Sequence, residues 1–501
     1  MAYRASPVSQ SYAGVGDREG TTGRHEIQRA TPSSWNITPL GEFRSPETPN
    51  GAPAGEPWAQ AKCNTGPSHD SGPAAKTASE ALAATSRWNR TRITAGNIGS
   101  TRALRHHTRA PSTCRPEDPL KGIRVLDLTR ILAGPYCSMI LGDLGAEIIK
   151  IERPGVGDET RNWGPPFLED QSCYFLSVNR NKKVHSTHTS CSLSPIVNNS
   201  DFSFDFTFQS VAVDLKSVEG VSLIKKIIYC SITGYGQKGP YRDRAGYDVI
   251  AASMGGLLHI TGPRGGEPCK VGVAITDLAT GLYAHGAVMA ALLQRNRTGK
   301  GQWINCNLFS TQVSVLANIA SNYLNANLEA SRHGTSHESI VPYAAFETLD
   351  GYITVGAASE GQFKVFCRVL DVSELLSDPR FKDNPSRVQN RDVLIEILNK
   401  RFKLKTTQEW LQLFEGSGIP YGPINTIRQV FEDPQGKEMV VKVPHKTAGT
   451  VSLVGPAVEF SDGVNKARSA PPLLGEHTDE VLSEYLTAEE IVRLRAKKII
   501  A

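Results

Sequence analysis

The chain has 501 residues, 39% hydrophobic and 21% charged, with a formal net charge of +5. That length allows two or three domains. No apolar run approaches the roughly 20 residues that a membrane-spanning helix needs, so no membrane association is expected. The nine cysteines are scattered and odd in number, with no CxxC pair. This argues against a disulfide framework and a zinc ribbon and favours a reducing compartment. Seven arginines and no acid or lysine fall within residues 81–116, and removing those seven from the total of +5 leaves −2. The remainder has no positive field of the kind a nucleic-acid partner requires.

Residues 1–117 are rich in Ser, Thr, Gly, Pro and Arg, with few periodic apolar positions. Such a segment buries too little surface to offset its ordering entropy and reads as a disordered or targeting extension. Its last third has the composition of a mitochondrial transit peptide, displaced from the N-terminus to near residue 80. A mitochondrial matrix location is the expectation. A plain basic tail is the alternative.

From residue 118 the pattern is globular. Val125–Leu128 reads as a strand, Ala133-Gly134-Pro135 as a turn, Met139–Leu144 as a helix and Ile148–Ile151 as a second strand. Further strands are predicted at Val211–Asp214, Ile227–Ile232 and Ile304–Leu308, with a long helix over Leu278–Arg295. Alternating strands and helices predict an α/β fold with a parallel, Rossmann-like sheet in a large domain, 118–334. Residues 344–356 form a predicted hairpin around Asp350-Gly351. Helices follow at Glu360–Leu370, Ser386–Phe402 and Thr407–Glu415, the last opened by a capping box, Thr406 to Glu409. These make a smaller α+β domain, 335–440. The tail, 441–501, is expected to return to the large domain, with a capped helix from Thr487.

Ligands of open α/β sheets collect at the carboxyl ends of strands. Thr129-Arg130 and Glu152-Arg153 lie at two such ends. An apolar stretch, predicted as a strand, runs into Asp277, which is placed at the N-cap of the long helix. The plain role there is capping, worth about 1 kcal/mol. The alternative is a nucleophile, because a carboxylate at a strand end and helix N-terminus can be held ionised and aimed at a ligand.

Five blocks then add a family likeness. They are residues 122–163, Ser231–Asp248 (SITGYGQKGPYRDRAGYD), Ile275–Gly281 with Thr298–Gln302 (ITDLATG and TGKGQ), Ser417–Asn425 and Pro471–Leu482. In this order they resemble the class III CoA-transferases (CaiB/BaiF type), over nearly everything from Leu120 onward. The resemblance implies transfer of coenzyme A, as co-substrate, from an acyl-CoA such as succinyl-CoA to a free dicarboxylate such as glutarate or hydroxymethylglutarate. It implies Asp277 as the nucleophile, through an aspartyl anhydride and an aspartyl-CoA thioester. It also implies CoA contacts at Arg130, Ala133, Arg153, Val213 and Lys216, with Lys182 and Lys183 as further cations, and an interlocked homodimer. A dicarboxylate needs a cation for its distal end, for which Arg332, His333 and His337 are candidates. His333 and His337 lack a third ligand for a metal, and none is expected. His185, His188 and Cys191 likewise read as an incidental loop.

Two rivals remain. The family's racemases carry His before Asp, whereas this chain has Gly246-Tyr247-Asp248, and tyrosine, with an ordinary pKa of about 10, is a poor base. The second rival is a non-catalytic splice form or defective gene product. Against the family pattern residues 184–209 read as inserted, roughly thirty residues are expected to be lost after Lys226, and a central strand is expected to be missing, which would leave backbone groups unpaired.

Overall fold

The computed structural model describes residues 117–187, the backbone of 206–208, and 227–500. Its centre is a six-stranded sheet, every pair parallel: β1 (Arg124–Asp127), β2 (Glu147–Glu152), β5 (Lys182–Ser186), β6 (Phe206–Phe208), β7 (Ile228–Thr233) and β8 (Gln302–Asn307), in the order β5-β2-β1-β6-β7-β8. A minor antiparallel pair, β3 (Phe167–Leu168) and β4 (Gln171–Ser172), lies apart. Counting only the sheet, the order is 3-2-1-4-5-6, and it reverses at β1. Ligands bind outside the carboxyl ends of strands at such a reversal.

The expected gap in the sheet is not there. Phe206–Phe208 pair with β1 on one side and β7 on the other, so the central ladder is occupied. Val184–Ser186, the first residues of the apparent insert, extend β5 along β2. The stretch read as inserted therefore begins within a paired strand. His185 is a fully buried strand residue, while His188, Cys191 and the strand predicted at Val211–Asp214 lie outside the described residues.

The small-residue stretch after β1 is not a turn but the opening of helix α1 (Ala133–Asp143). Pro135 is tolerated because the first-turn N–H groups have no helical partner. A Cβ on Gly134 would lie 2.4 Å from the Thr129 side chain, so glycine lets α1 start directly against the strand end. Helix α2 (Cys173–Val178) follows, capped by Ser172. Helix α3 (Asp248–Met254), the short α4 (Leu257–Ile260) and the long α5 (Ile275–Thr298) come next. Helices α6 (Leu308–Ser314) and α7 (Asn318–Ala326) follow β8. One face of the sheet packs on α1 and α5 through Val125, Ile148, Leu141, Ala284 and Val288. The other packs on the tail through Leu126, Ile149, Ile151, Val481 and Ile491, from helices over Thr478–Ser483 and Ala488–Ala496.

A separate core spans Val341 to Ile419. Its three-stranded antiparallel sheet joins β9 (Tyr343–Glu347), β10 (Tyr352–Gly356) and β11 (Tyr421–Pro423). Phe346, Phe366, Phe402, Trp410 and Phe414 fill it, each contributing about 2–3 kcal/mol of burial. The single helix predicted over Ser386–Phe402 is broken into Asn384–Gln389 and Arg391–Phe402 at Asn390. The Thr406–Glu409 and Thr487–Glu490 capping boxes both form. A hairpin, β12 (Val440–His445) with β13 (Gly449–Val454), packs on α2 through Val443, Val451 and Leu176.

Candidate active site

β1 ends in Asp127, whose side chain is completely buried. It accepts hydrogen bonds from the Thr129 backbone N (2.9 Å), Thr129 Oγ1 (2.5 Å), Ser138 Oγ (2.6 Å) and Lys182 Nζ (3.1 Å). The two buried ammonium groups, Lys182 and Lys150, hold it well below the ordinary carboxylate range against the opposing effect of burial. Lys182 also donates to Pro135 O and Asn179 Oδ1, both at 3.0 Å. Its own pKa is pushed down to about 8 by burial, with Asp127 working against the fall. Lys182 is therefore an internal brace of the β1–α1 connection, not a solvent-facing cation for CoA. Lys183 is engaged too, by Glu147 and Glu480 at 2.8 Å each. Val213 and Lys216 lie outside the described residues.

Lys150, equally buried on β2, donates to Thr129 O (2.7 Å) and to Asp158 Oδ2 (3.0 Å). Asp158 Oδ1 accepts from the backbone N of Ile131 (3.2 Å) and from Thr160 N (3.0 Å) and Oγ1 (2.7 Å). Ile131 has φ of +71°, a left-handed conformation that costs a β-branched residue about 1–3 kcal/mol and persists only where its surroundings impose it. The Asp158 contact is part of that imposition. Asp158 also caps the 3-10 turn Glu159–Asn162. Two turns are thus tied by one buried carboxylate, and their tips carry Arg130, Arg153 and Glu159. Arg130 Nη1 pairs with Glu159 Oε1, and Arg153 Nη2 donates to the same oxygen at 3.1 Å. Both guanidiniums remain about half exposed, 52% and 51%. Arg130 and Arg153, read separately from sequence, are brought together here.

The start of α5 meets the same connection. Gly281 passes so close to α1 that a Cβ would fall 2.7 Å from Ala133 O and 3.1 Å from the Tyr136 ring. Ala274 and Leu278 pack with Ile131, Leu132, Tyr136 and Tyr174. Asp277 lies between them. No strand precedes it, and the N-cap is Ala274, so Asp277 is the third residue of the helix and not its cap. Its backbone N–H donates to Asp248 Oδ1 at 3.0 Å, so the capping carboxylate comes from α3. The Asp277 side chain is left free of capping duty. Burial, and then the neighbouring Asp248 charge, push its pKa up to about 7. Tyr174 is half-buried, and its phenol is raised by burial and then by Asp277, Asp248 and Asp158. It stacks edge-on against Trp163 at 5.1 Å. The arrangement is a partly buried carboxylate near the Tyr174 phenol, with two cations on the strand-end turns of the connection that α5 packs against.

Arg332 is not a spare cation. Its Nε donates to Gly266 O (2.9 Å) and its Nη1 to His259 O (2.7 Å), fastening the 261–269 loop. His337 stacks on Tyr343 at 5.5 Å, and its Nδ1 accepts from Ser339 N at 3.0 Å. His333 contacts Ser331 Oγ at 3.2 Å. Burial and then Arg391 lower its pKa. Among the described residues the hydrogen bonds and ring contacts of this trio do not reach Asp277. Among the described residues no group of three His, Cys, Asp or Glu side chains could hold a metal. Sequence reasoning named Asp248 only as part of the Gly246-Tyr247-Asp248 motif, with no role of its own, and did not single out Tyr174, Lys150, Asp158 or Glu159. Only the Asp158-x-Thr160 capping pattern carried a local signal.

The sequence model of CoA-transferase family III matches residues 120–192 and 205–478. The break in this match lies inside the stretch read as inserted and is shorter than it. The chain is 48% identical over 417 residues to succinyl-CoA:glutarate CoA-transferase of Mus musculus, covering 76% of this chain and 90% of that protein. It is 36% identical over 387 residues to succinate–glutarate CoA-transferase of Agrobacterium fabrum, covering 74% and 96%. The crystal structure of a CAIB/BAIF family protein from Brucella suis superposes with a TM-score of 0.65 at 37% identity, covering 74% of this chain and all of that one. Fold, site and these likenesses agree, and the chain belongs to CoA-transferase family III.

Proposed function

We propose that this enzyme moves CoA from succinyl-CoA to glutarate, with Asp277 as the nucleophile. The Asp277 carboxylate attacks the thioester carbonyl, the C–S bond breaks, and CoA leaves as thiolate from a succinyl–aspartyl anhydride. The thiolate attacks the Asp277 carbonyl and releases succinate, leaving an aspartyl-CoA thioester. A glutarate carboxylate displaces the thiolate there, forming a glutaryl–aspartyl anhydride. Thiolate attack on the glutaryl carbonyl yields glutaryl-CoA and restores Asp277. Carboxylate catalysis suits the reaction because each anhydride keeps the acyl group activated. The observation that carries this reading is Asp277 itself, partly buried, uninvolved in capping, and on the turn of α5 whose Ala274 and Leu278 pack against the connection that bears Arg130 and Ala133.

On this reading Arg130 and Arg153 take CoA phosphate oxygens, which arginine forks match well. Tyr247 in place of histidine supports transfer over racemisation. The relatives' names support the choice of succinyl-CoA and glutarate. The assay is turnover of succinyl-CoA with glutarate by wild type and Asp277→Asn. Loss on the order of a thousandfold or more is expected for a nucleophile, and equal rates refute the assignment. Rapid α-deuteration of a chiral 2-methylacyl-CoA in deuterium oxide would favour the racemase instead.

The exposed apolar residues of α5 to α7, among them Leu282, Tyr283, Leu293 and Leu324, support a homodimer in which a second copy covers them. The arginine-rich, acid-free stretch 81–116 supports a mitochondrial matrix location. Import of the chain beginning at Met1 or at Ala81 tests it, and import of neither removes it.

A further inference from the structure

We infer that Glu159 is a built-in competitor for the CoA phosphate site, a carboxylate that occupies the Arg130–Arg153 pair until an anionic ligand displaces it. The inference rests on the reading of Arg130 and Arg153 as phosphate ligands.

Three observations carry it. First, the pairing is a poor use of two guanidiniums. Both donate to one oxygen, Oε1, and the second, Oε2, is buried with no hydrogen-bond partner among the described residues. A phosphate offers three oxygens and could engage each fork bidentately. Second, one carboxylate leaves the pair with a net positive charge, and both arginines stay half exposed, open to an incoming anion. Third, only the side chain needs to move. The Glu159 backbone is fixed by its neighbour Asp158, itself held by Lys150, Thr160 and Ile131. Rotation about the glutamate side-chain torsions clears the site without disturbing the turn.

Glu159 therefore lowers affinity for the phosphate-bearing part of the substrate. It returns to the arginines as acyl-CoA departs, which assists release. The test is the dissociation constant of CoA, and of pantetheine, which lacks phosphate, for wild type, Glu159→Gln, Glu159→Ala and Arg153→Gln. Removing a partly exposed competing ion pair should tighten CoA binding about five- to tenfold at low ionic strength, with less effect at high salt. Pantetheine binding should not change. Arg153→Gln should weaken CoA binding. If Arg153→Gln weakens CoA but both Glu159 variants bind it equally or more weakly, Glu159 is a bracket for the arginines and the inference is overturned. If Arg153→Gln leaves CoA binding unaltered, the phosphate reading itself fails, and the inference with it.

Discussion

Replacing Asp277 with asparagine should make the protein more stable while abolishing transfer. The native carboxyl titrates near 7, against 3.8 ordinarily. A carboxyl whose folded pKa is raised costs stability most above the folded value, and the cost shrinks as pH falls from about 7 toward 3.8, where the native state takes up a proton. Each tenfold change in proton affinity is about 1.4 kcal/mol, so the full cost at pH 8 is about 4 kcal/mol. The side chain is not fully enclosed, and solvent screening reduces this to about 2 kcal/mol. Asparagine keeps the shape and removes the charge. Thermal melts of both proteins at pH 8 should show the variant higher by roughly 2–4 °C. At pH 5 roughly a third of that gain should remain. A variant no more stable at pH 8, or a difference that does not vary with pH, would show that Asp277 is not held under electrostatic tension.

Asp248→Asn keeps an oxygen for the Asp277 N–H but removes the charge beside it. The acid limb of kcat/KM, expected near pH 7 in the wild type, should move to lower pH, and an unmoved limb would deny the coupling. Lys150→Met strands Asp158 and the left-handed Ile131, so stability should fall by about 3–5 kcal/mol, read from urea unfolding; a change under 1 kcal/mol would mean the buried pair is dispensable. His185 is buried and titrates near 4. Its contribution is complete above pH 6.5 and is lost as pH falls toward 4, so His185→Gln should flatten the acid unfolding profile in that window, and an unchanged profile counts against it. Light scattering should give about twice the 54.3 kDa chain mass, and a monomer would leave the apolar face of α5 without its proposed cover.

The β1–α1–β2 unit was legible because strand and helix periods alternate cleanly there, and Asp277 because its sequence context resembles a known signature. The braces were not legible. Lys150 and Lys182 look like surface cations in sequence, and only a strand buried on both faces makes them internal. Their partners, Asp158 and Asp127, lie 8 and 55 residues away, beyond any local pattern. Arg332 reads as an available cation until two backbone carbonyls take its N–H groups. The central strand over Phe206–Phe208 had a local signal, two phenylalanines flanking a polar residue at the strand period, but it lies inside the stretch that reads as inserted. Asn390 broke a helix that the apolar spacing predicted as continuous.

The edge strand β5 has a consequence for synthesis. Val184 and Ser186 bond to His477 and Thr478, Thr187 bridges Ile500, and Arg124 reaches Glu484 and Tyr485 across more than 350 residues. The sheet begun at residue 124 therefore has an open edge and one bare apolar face until the last two helices leave the ribosome. Closure so late favours slow, chaperone-dependent maturation. A ribosome-bound chain stalled before residue 470 should stay protease-sensitive at β5, even with its catalytic aspartate long since made.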